Sequence, residues 1–78
     1  MTLAIELASR GVTVNAVAPG IIVSPLAEAA FTKELIERLV PMKRAGSPEE
    51  VADLVGFIAS EQAAYLSGQI ISINGAMI

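Results

Sequence analysis

Neither histidine nor cysteine occurs anywhere in the chain, and tryptophan is missing too. Without cysteine there is no disulfide framework and no thiolate metal site. Without histidine the commonest general base and the commonest metal ligand are gone, and a Ser-His-Asp relay is excluded. Five basic residues stand against eight acids, a net charge of −3 that argues against nucleic acid as the main partner. No apolar run reaches the ~20 residues that a membrane helix requires. Glu6 and Arg10 interrupt the opening apolar stretch, so it does not read as a signal peptide. These exclusions predict a soluble, cytoplasmic protein with no nucleic-acid partner, no membrane partner and no metal.

What is present is aliphatic. Hydrophobic residues make up 54% of the chain and charged residues only 17%, while Phe31, Phe57 and Tyr65 are the sole aromatics. Ala, Val, Ile and Leu in this proportion are the material of interior strands and their covering helices. Yet 78 residues make at most one small domain. A chain of this size buries only ~60% of the surface its unfolded form exposes. The surplus of apolar surface is expected to meet the rest of a larger domain, another subunit, or both.

Along the chain, Met1 to Ser9 reads as the tail of a helix, with Leu3/Leu7 and Ala4/Ala8 on shared faces. Arg10 suits its carboxyl end, and Gly11 the position just past it. No capping signal precedes it, which suggests a chain cut inside a longer helix. Val12 to Ala18 is a strand candidate that Pro19-Gly20 brings to a stop. Ser24-Pro25 can cap and open a short helix. Leu35, Ile36, Leu39 and Val40 trace a helical stripe ended by Pro41. Ser47-Pro48-Glu49-Glu50 is the clearest helix start, because Ser47 and Glu50 can cap each other's backbone. Val51, Leu54, Val55 and Ile58 follow with amphipathic spacing. Gly68 then punctuates, and Gln69 to Asn74 forms a last strand.

The order is helix, strand, helices, strand. Two short strands joined by a long helical crossover are most simply parallel neighbours, which predicts an α/β fragment of a doubly wound sheet. Ligands of such sheets bind outside the carboxyl ends of the strands, so the run from Val12 to Ser24 nominates a binding edge.

Each notable residue also has a plainer reading. Asn15 can satisfy a nearby loop. Pro19-Gly20 can be only a strand stop, and Ser24 only a helix cap. Glu49 and Glu50 fit capping better than acid–base work, and Lys43-Arg44 reads as a solvated basic spot. Tyr65 is followed four residues later by Gln69, so no lysine is placed to lower its pKa, and it is expected to pack near the helix end. No Gly-x-Gly-x-x-Gly loop occurs. Taken alone, the chain carries no catalytic residue.

The segment ELASRGVTVNAVAPGIIVS and the series VPMKRAGSPEEVADLVGFIASEQAAYLSGQIISINGA resemble the short-chain dehydrogenase/reductase family. Within it they look most like the 3-oxoacyl-acyl-carrier-protein reductases. The resemblance covers essentially the whole chain and implies that residues 1–78 are the carboxyl-terminal part of a Rossmann-like, NAD(P)-binding domain. The implied parent reaction is hydride transfer from NADP or NAD to a ketone, in fatty-acid synthesis a 3-oxoacyl thioester. By the same resemblance, Pro19 and Gly20 shape the loop passing the nicotinamide, and Ile22 offers backbone groups to its carboxamide. Ser24 takes the place of the usual Thr beside the cofactor phosphates, and Leu26 begins the substrate lid. The helix from Ser47 and the strand ending at Asn74 belong to a homo-oligomer interface, in the family a tetramer, with acyl carrier protein as a possible further partner. The family's nucleotide loop and its catalytic Ser, Tyr and Lys would precede Met1. Ala76 departs from the pattern by replacing the second glycine of a terminal pair. An alternative is a non-catalytic self-association module derived from such a reductase.

Overall fold

The computed structural model describes residues 2–77. Helix α1 (Thr2–Leu7) runs into a 3₁₀ turn (Ala8–Arg10), and Gly11 closes it at φ 72° with its N–H donating to the Ala8 carbonyl at 3.1 Å. That left-handed conformation is where glycine is favoured after a helix. Strand β1 (Ala16–Pro19) follows, then α2 (Pro25–Ala30), α3 (Lys33–Leu39), α4 (Pro48–Ile58), a 3₁₀ turn (Glu61–Ala63) and β2 (Ile70–Ile73).

The two strands pair in parallel, with Ala16 opposite Ile70 and Pro19 opposite Ile73. This is the neighbour relation expected of strands joined by a helical crossover. Among the described residues the sheet has two strands, and the class is α/β.

The strand bounds differ from expectation. β1 starts four residues later than Val12 and includes Pro19, while β2 lacks Gln69 and Asn74. The reason lies in the partner. Gly68, at φ 74°, turns the chain just before β2, so the segment opposite Val14 is not extended strand. Val14 instead donates its N–H to Ser67 Oγ at 3.0 Å and accepts from Gly68 N–H at 2.8 Å. Asn15 binds the same loop from both ends of its amide, donating to the Leu66 carbonyl and accepting from Gln69 N–H, each at 3.1 Å. The plain loop-satisfying reading of Asn15 therefore holds. Pro19 fits in the strand because Ala16 and Gly20 direct their N–H groups at β2. The alternation of a strand turns position 19 the other way, where no donor is needed.

The helix starts are local and follow the sequence. Ser24 Oγ accepts from Ala27 N–H at 3.0 Å, with Pro25 in the first turn. Ser47 and Glu50 form the reciprocal capping box of α4. Thr32 caps α3 through Leu35 N–H at 3.1 Å, a start the sequence reading did not mark. Among the described residues, no helix is long and apolar enough to cross a membrane.

Very little of this structure is core. Ala4, Val40 and Ala63 are its only buried hydrophobic residues among those described. The α4 stripe of Val51, Leu54 and Ile58 is half-buried, and Val55 is exposed. Tyr65 does not pack at the helix end as expected; it is 105% exposed, since no described element lies over it. The radius of gyration is 15.2 Å, against about 11.5 Å for a compact chain of this length. The accessible area is 5788 Å², where a compact protein of the same mass exposes about 4,500 Å². The molecule is open and elongated, 47 × 21 × 20 Å. Its apolar faces are formed but uncovered.

Candidate functional site

Beyond the carboxyl ends of β1 and β2 the chain makes two loops that meet. Gly20 leaves β1 with its N–H bonded to the Ile73 carbonyl at 3.0 Å. A Cβ built on Gly20 would lie 2.7 Å from Asn74 Cβ and 2.9 Å from Asn74 Cα. Glycine is required here for close approach between two backbones. Pro19 is thus the last residue of β1, Gly20 adds one further bond to the ladder, and its missing side chain lets the second loop lie against the first.

The loop then forms a second, one-residue parallel bridge between Ile22 and Gly46. Gly46 N–H donates to the Ile21 carbonyl at 2.9 Å, and Val23 N–H to the Gly46 carbonyl at 2.8 Å. In a parallel bridge of this form the central residue's own N–H and C=O point away from the partner. Those of Ile22 have no hydrogen-bond partner among the described residues.

Gly46 is held by a clasp. Arg44 donates through two nitrogens to both Glu50 oxygens, at 2.8 and 3.0 Å, and to the Ala45 carbonyl at 3.2 Å. Glu50 Oε1 also accepts from Ser47 N–H at 3.0 Å. The Arg44 hydrogen bond, followed by that of the Ser47 backbone, holds the Glu50 carboxyl down at about 2. Glu50 in turn holds Arg44 above its ordinary value. Both side chains face solvent, so the pair serves as a geometric tie more than a source of stability. Arg44 is solvated, as its place in the sequence implies, and the fold adds a partner by bringing the loop onto the start of α4.

After β2, Asn74 organises a tight turn. Its Oδ1 accepts from Ala76 N–H at 3.0 Å, and its Nδ2 donates to the Met77 carbonyl at 2.7 Å. Gly75 is at φ 61°, and a Cβ there would come within 2.7 Å of Val40 Cγ1, the most buried side chain. Ala76 is at φ 70°, in the left-handed region despite its methyl group. The missing second glycine therefore leaves the close approach intact, since Gly75 makes it, and leaves a strained alanine beside it.

Between these loops lies a cavity of about 330 Å³, lined among others by Ile22, Arg44, Gly46, Glu50, Ser72 and Asn74. Of the five residues singled out from the sequence, only Ile22 lines it. Pro19 and Gly20 stand at the strand end. Ser24 caps α2, its oxygen engaged and its hydroxyl proton still available to donate. Leu26 lies on α2 and is 81% exposed. A second cavity, about 490 Å³, is lined among others by Ala27, Phe31, Ile36, Lys33, Lys43 and Arg44, and takes in neither Ser24 nor Leu26. The Asn74-Gly75 pair was missed as a site feature. Its signal was present, because Asn-Gly is a strong turn-forming dipeptide.

Comparison with known proteins adds the following. The family model described as Enoyl-(Acyl carrier protein) reductase, of short-chain dehydrogenase/reductase type, matches residues 1–77. A glucose and ribitol dehydrogenase homolog of Oryza sativa subsp. japonica is 48% identical over 79 aligned positions, covering 97% of this chain and 26% of that protein. A 3-oxoacyl-acyl-carrier-protein reductase of Rickettsia felis is 47% identical, covering 99% of this chain and 33% of its own length. One from Staphylococcus epidermidis is 49% identical, covering 97% and 32%. The chain thus spans about a quarter to a third of the length of these relatives.

Proposed function

Because this chain belongs to the short-chain dehydrogenase/reductase family, we propose that it forms the carboxyl-terminal part of a single Rossmann-like, NAD(P)-binding domain that reduces a ketone. In that reading its two strands continue a doubly wound parallel sheet whose other strands lie outside residues 1–78. The substrate class is a 3-oxoacyl thioester on acyl carrier protein, from the names of the Rickettsia and Staphylococcus relatives.

The observation that supports this reading best is the backbone of Ile22. Among the described residues its N–H and C=O have no partner at the carboxyl edge of the sheet, one donor and one acceptor side by side, the complement of a carboxamide. The residues present thus fit the nicotinamide half of the cofactor. Ile22 would hold the carboxamide, Pro19 and Gly20 would set the path of the loop, and the Ser24 hydroxyl would donate to a phosphate while its oxygen caps α2. Leu26, exposed on α2, would cover the substrate. The nicotinamide, when bound, supplies the hydride. These residues bind, orient and exclude water; none delivers a proton to the ketone oxygen. In that reading the acid comes from residues outside 1–78, because Gln69 stands where a lysine partner of Tyr65 would be.

The test is a chimera in which residues 1–78 replace the matching segment of the Staphylococcus epidermidis reductase. It should fold, bind NAD(P)H and reduce a 3-oxoacyl thioester, while the 78-residue chain alone shows no turnover. A folded chimera that neither binds the cofactor nor turns over would overturn the proposal.

A second reading, a self-association module, is favoured by one specific observation, the uncovered apolar surface of an open molecule. It predicts assembly of the 78-residue chain in light scattering. A compact monomer with protected strand amides would remove it.

A further inference from the structure

The chain has two asparagines, and the structure treats them oppositely. Asn15 precedes Ala16, whose N–H is tied into the sheet by a 2.9 Å bond to the Gln69 carbonyl. Asn74 precedes Gly75, whose N–H has no hydrogen-bond partner among the described residues and whose α-carbon carries no side chain. The Asn74 side-chain oxygen Oδ1 meanwhile accepts from Ala76 N–H at 3.0 Å, which draws electron density from Cγ. A free backbone nucleophile thus stands next to a polarised side-chain carbonyl. Asn15 has the same two-ended amide clasp but no free nucleophile.

We infer that Asn74-Gly75 is a site of spontaneous covalent modification, by succinimide formation and deamidation, and that its product loosens the Gly20 loop. The Gly75 backbone nitrogen gives its proton to a solvent base and attacks Asn74 Cγ. A carbon–nitrogen bond forms, the Cγ–Nδ2 bond breaks, and ammonia leaves with a proton from water. Water then opens the ring. Attack at Cγ restores the main chain with an aspartate, and attack at the α-carbonyl leaves an isoaspartate whose main chain runs through Cβ and Cγ. One water is consumed, one ammonia is released, and nothing is oxidised.

The consequence follows from packing. Either product loses the Nδ2 donor that reaches the Met77 carbonyl at 2.7 Å. The isoaspartate also inserts a methylene into the main chain where Gly20 has no clearance, its virtual Cβ being 2.7 Å from Asn74 Cβ. The Gly20-to-Ile73 hydrogen bond is the nearest tie to be strained.

The experiment incubates the folded chimeric reductase carrying residues 1–78 at mildly alkaline pH in heavy-oxygen water, with and without urea, and maps Asn15 and Asn74 by mass spectrometry. In buffer, Asn74 should convert at a rate comparable to that in urea, while Asn15 stays an amide. Conversion of Asn74 slower by an order of magnitude or more in buffer than in urea would overturn the inference. So would equal conversion of Asn15 and Asn74 in buffer. Hydrogen exchange on the separated forms tests the coupling: the Gly20 amide should exchange faster in the isoaspartyl form, and an unchanged rate refutes that part. Gly75→Ala clashes with Val40 and can fail to fold, so Asn74→Asp is the control. It should keep Gly20 protected, and equal loss of protection there would refute the role of the inserted methylene.

Discussion

Replacing Gly20 with alanine puts the geometry of the strand-end crossing to a quantitative test. The new Cβ would sit 2.7 Å from Asn74 Cβ and 2.9 Å from its Cα, where ordinary contact begins at 3.4 Å. Both neighbours are anchored in backbone, so the clash is relieved only by moving one loop away from the other. Overpacking of this kind costs ~1–3 kcal/mol. Restricting the unfolded chain returns ~0.4–1 kcal/mol, since Gly20 is not in the left-handed region. The net expectation is a loss of about 1–2 kcal/mol. Gly56 is the internal control. It lies within α4 with nothing within 4 Å of its virtual Cβ and no positive φ. Gly56→Ala should therefore stabilise by ~0.5–1 kcal/mol through helix propensity. Urea unfolding of the chimeric reductase carrying each change should shift the midpoints in opposite directions. If Gly20→Ala leaves the midpoint unchanged or raises it, the close approach of the two loops is wrong.

Three further outcomes are expected. Ser24→Ala removes the cap on α2 and should cost ~1 kcal/mol of stability. Under the reductase reading it should also weaken NAD(P)H binding several-fold, and isothermal titration showing unchanged affinity would leave Ser24 a cap alone. The Glu50 carboxyl is held down from 4.5 to about 2, first by the Arg44 hydrogen bond. Its contribution is therefore complete above the ordinary value and is lost as pH falls toward about 2. Glu50→Gln should flatten the pH dependence of the unfolding midpoint across that window, and an unchanged profile would count against the clasp. Ala76→Gly relieves a left-handed alanine at φ 70°. That conformation costs ~1–2 kcal/mol, offset by the ~0.5–1 kcal/mol entropic penalty of glycine, so a rise in stability of about 0.5–1 kcal/mol is expected in a thermal melt.

The features legible in the sequence are those whose partners lie a few residues away. Ser47 and Glu50 cap each other across three positions, Ser24 caps Ala27, and Gly11 closes the turn it follows. These depend on covalent neighbours and local dihedral preferences, so the pattern of residues suffices. Parallel pairing of the two strands was legible too, because a long helical connection is incompatible with a hairpin.

What only the tertiary structure decided depends on how loops fold and on which segments meet. β1 begins at Ala16 and not Val12 because Gly68 turns the opposite segment away. The need for glycine at position 20 is set by Asn74, and at 75 by Val40. Arg44 is a tie and not a free charge because the Ala45–Ser47 loop brings it onto Glu50. Tyr65 stays exposed because no described element covers it. Composition told how much apolar surface there is to bury. Where that surface lies, and which backbones approach closely enough to demand a glycine, depends on contacts between distant segments that a local pattern does not encode.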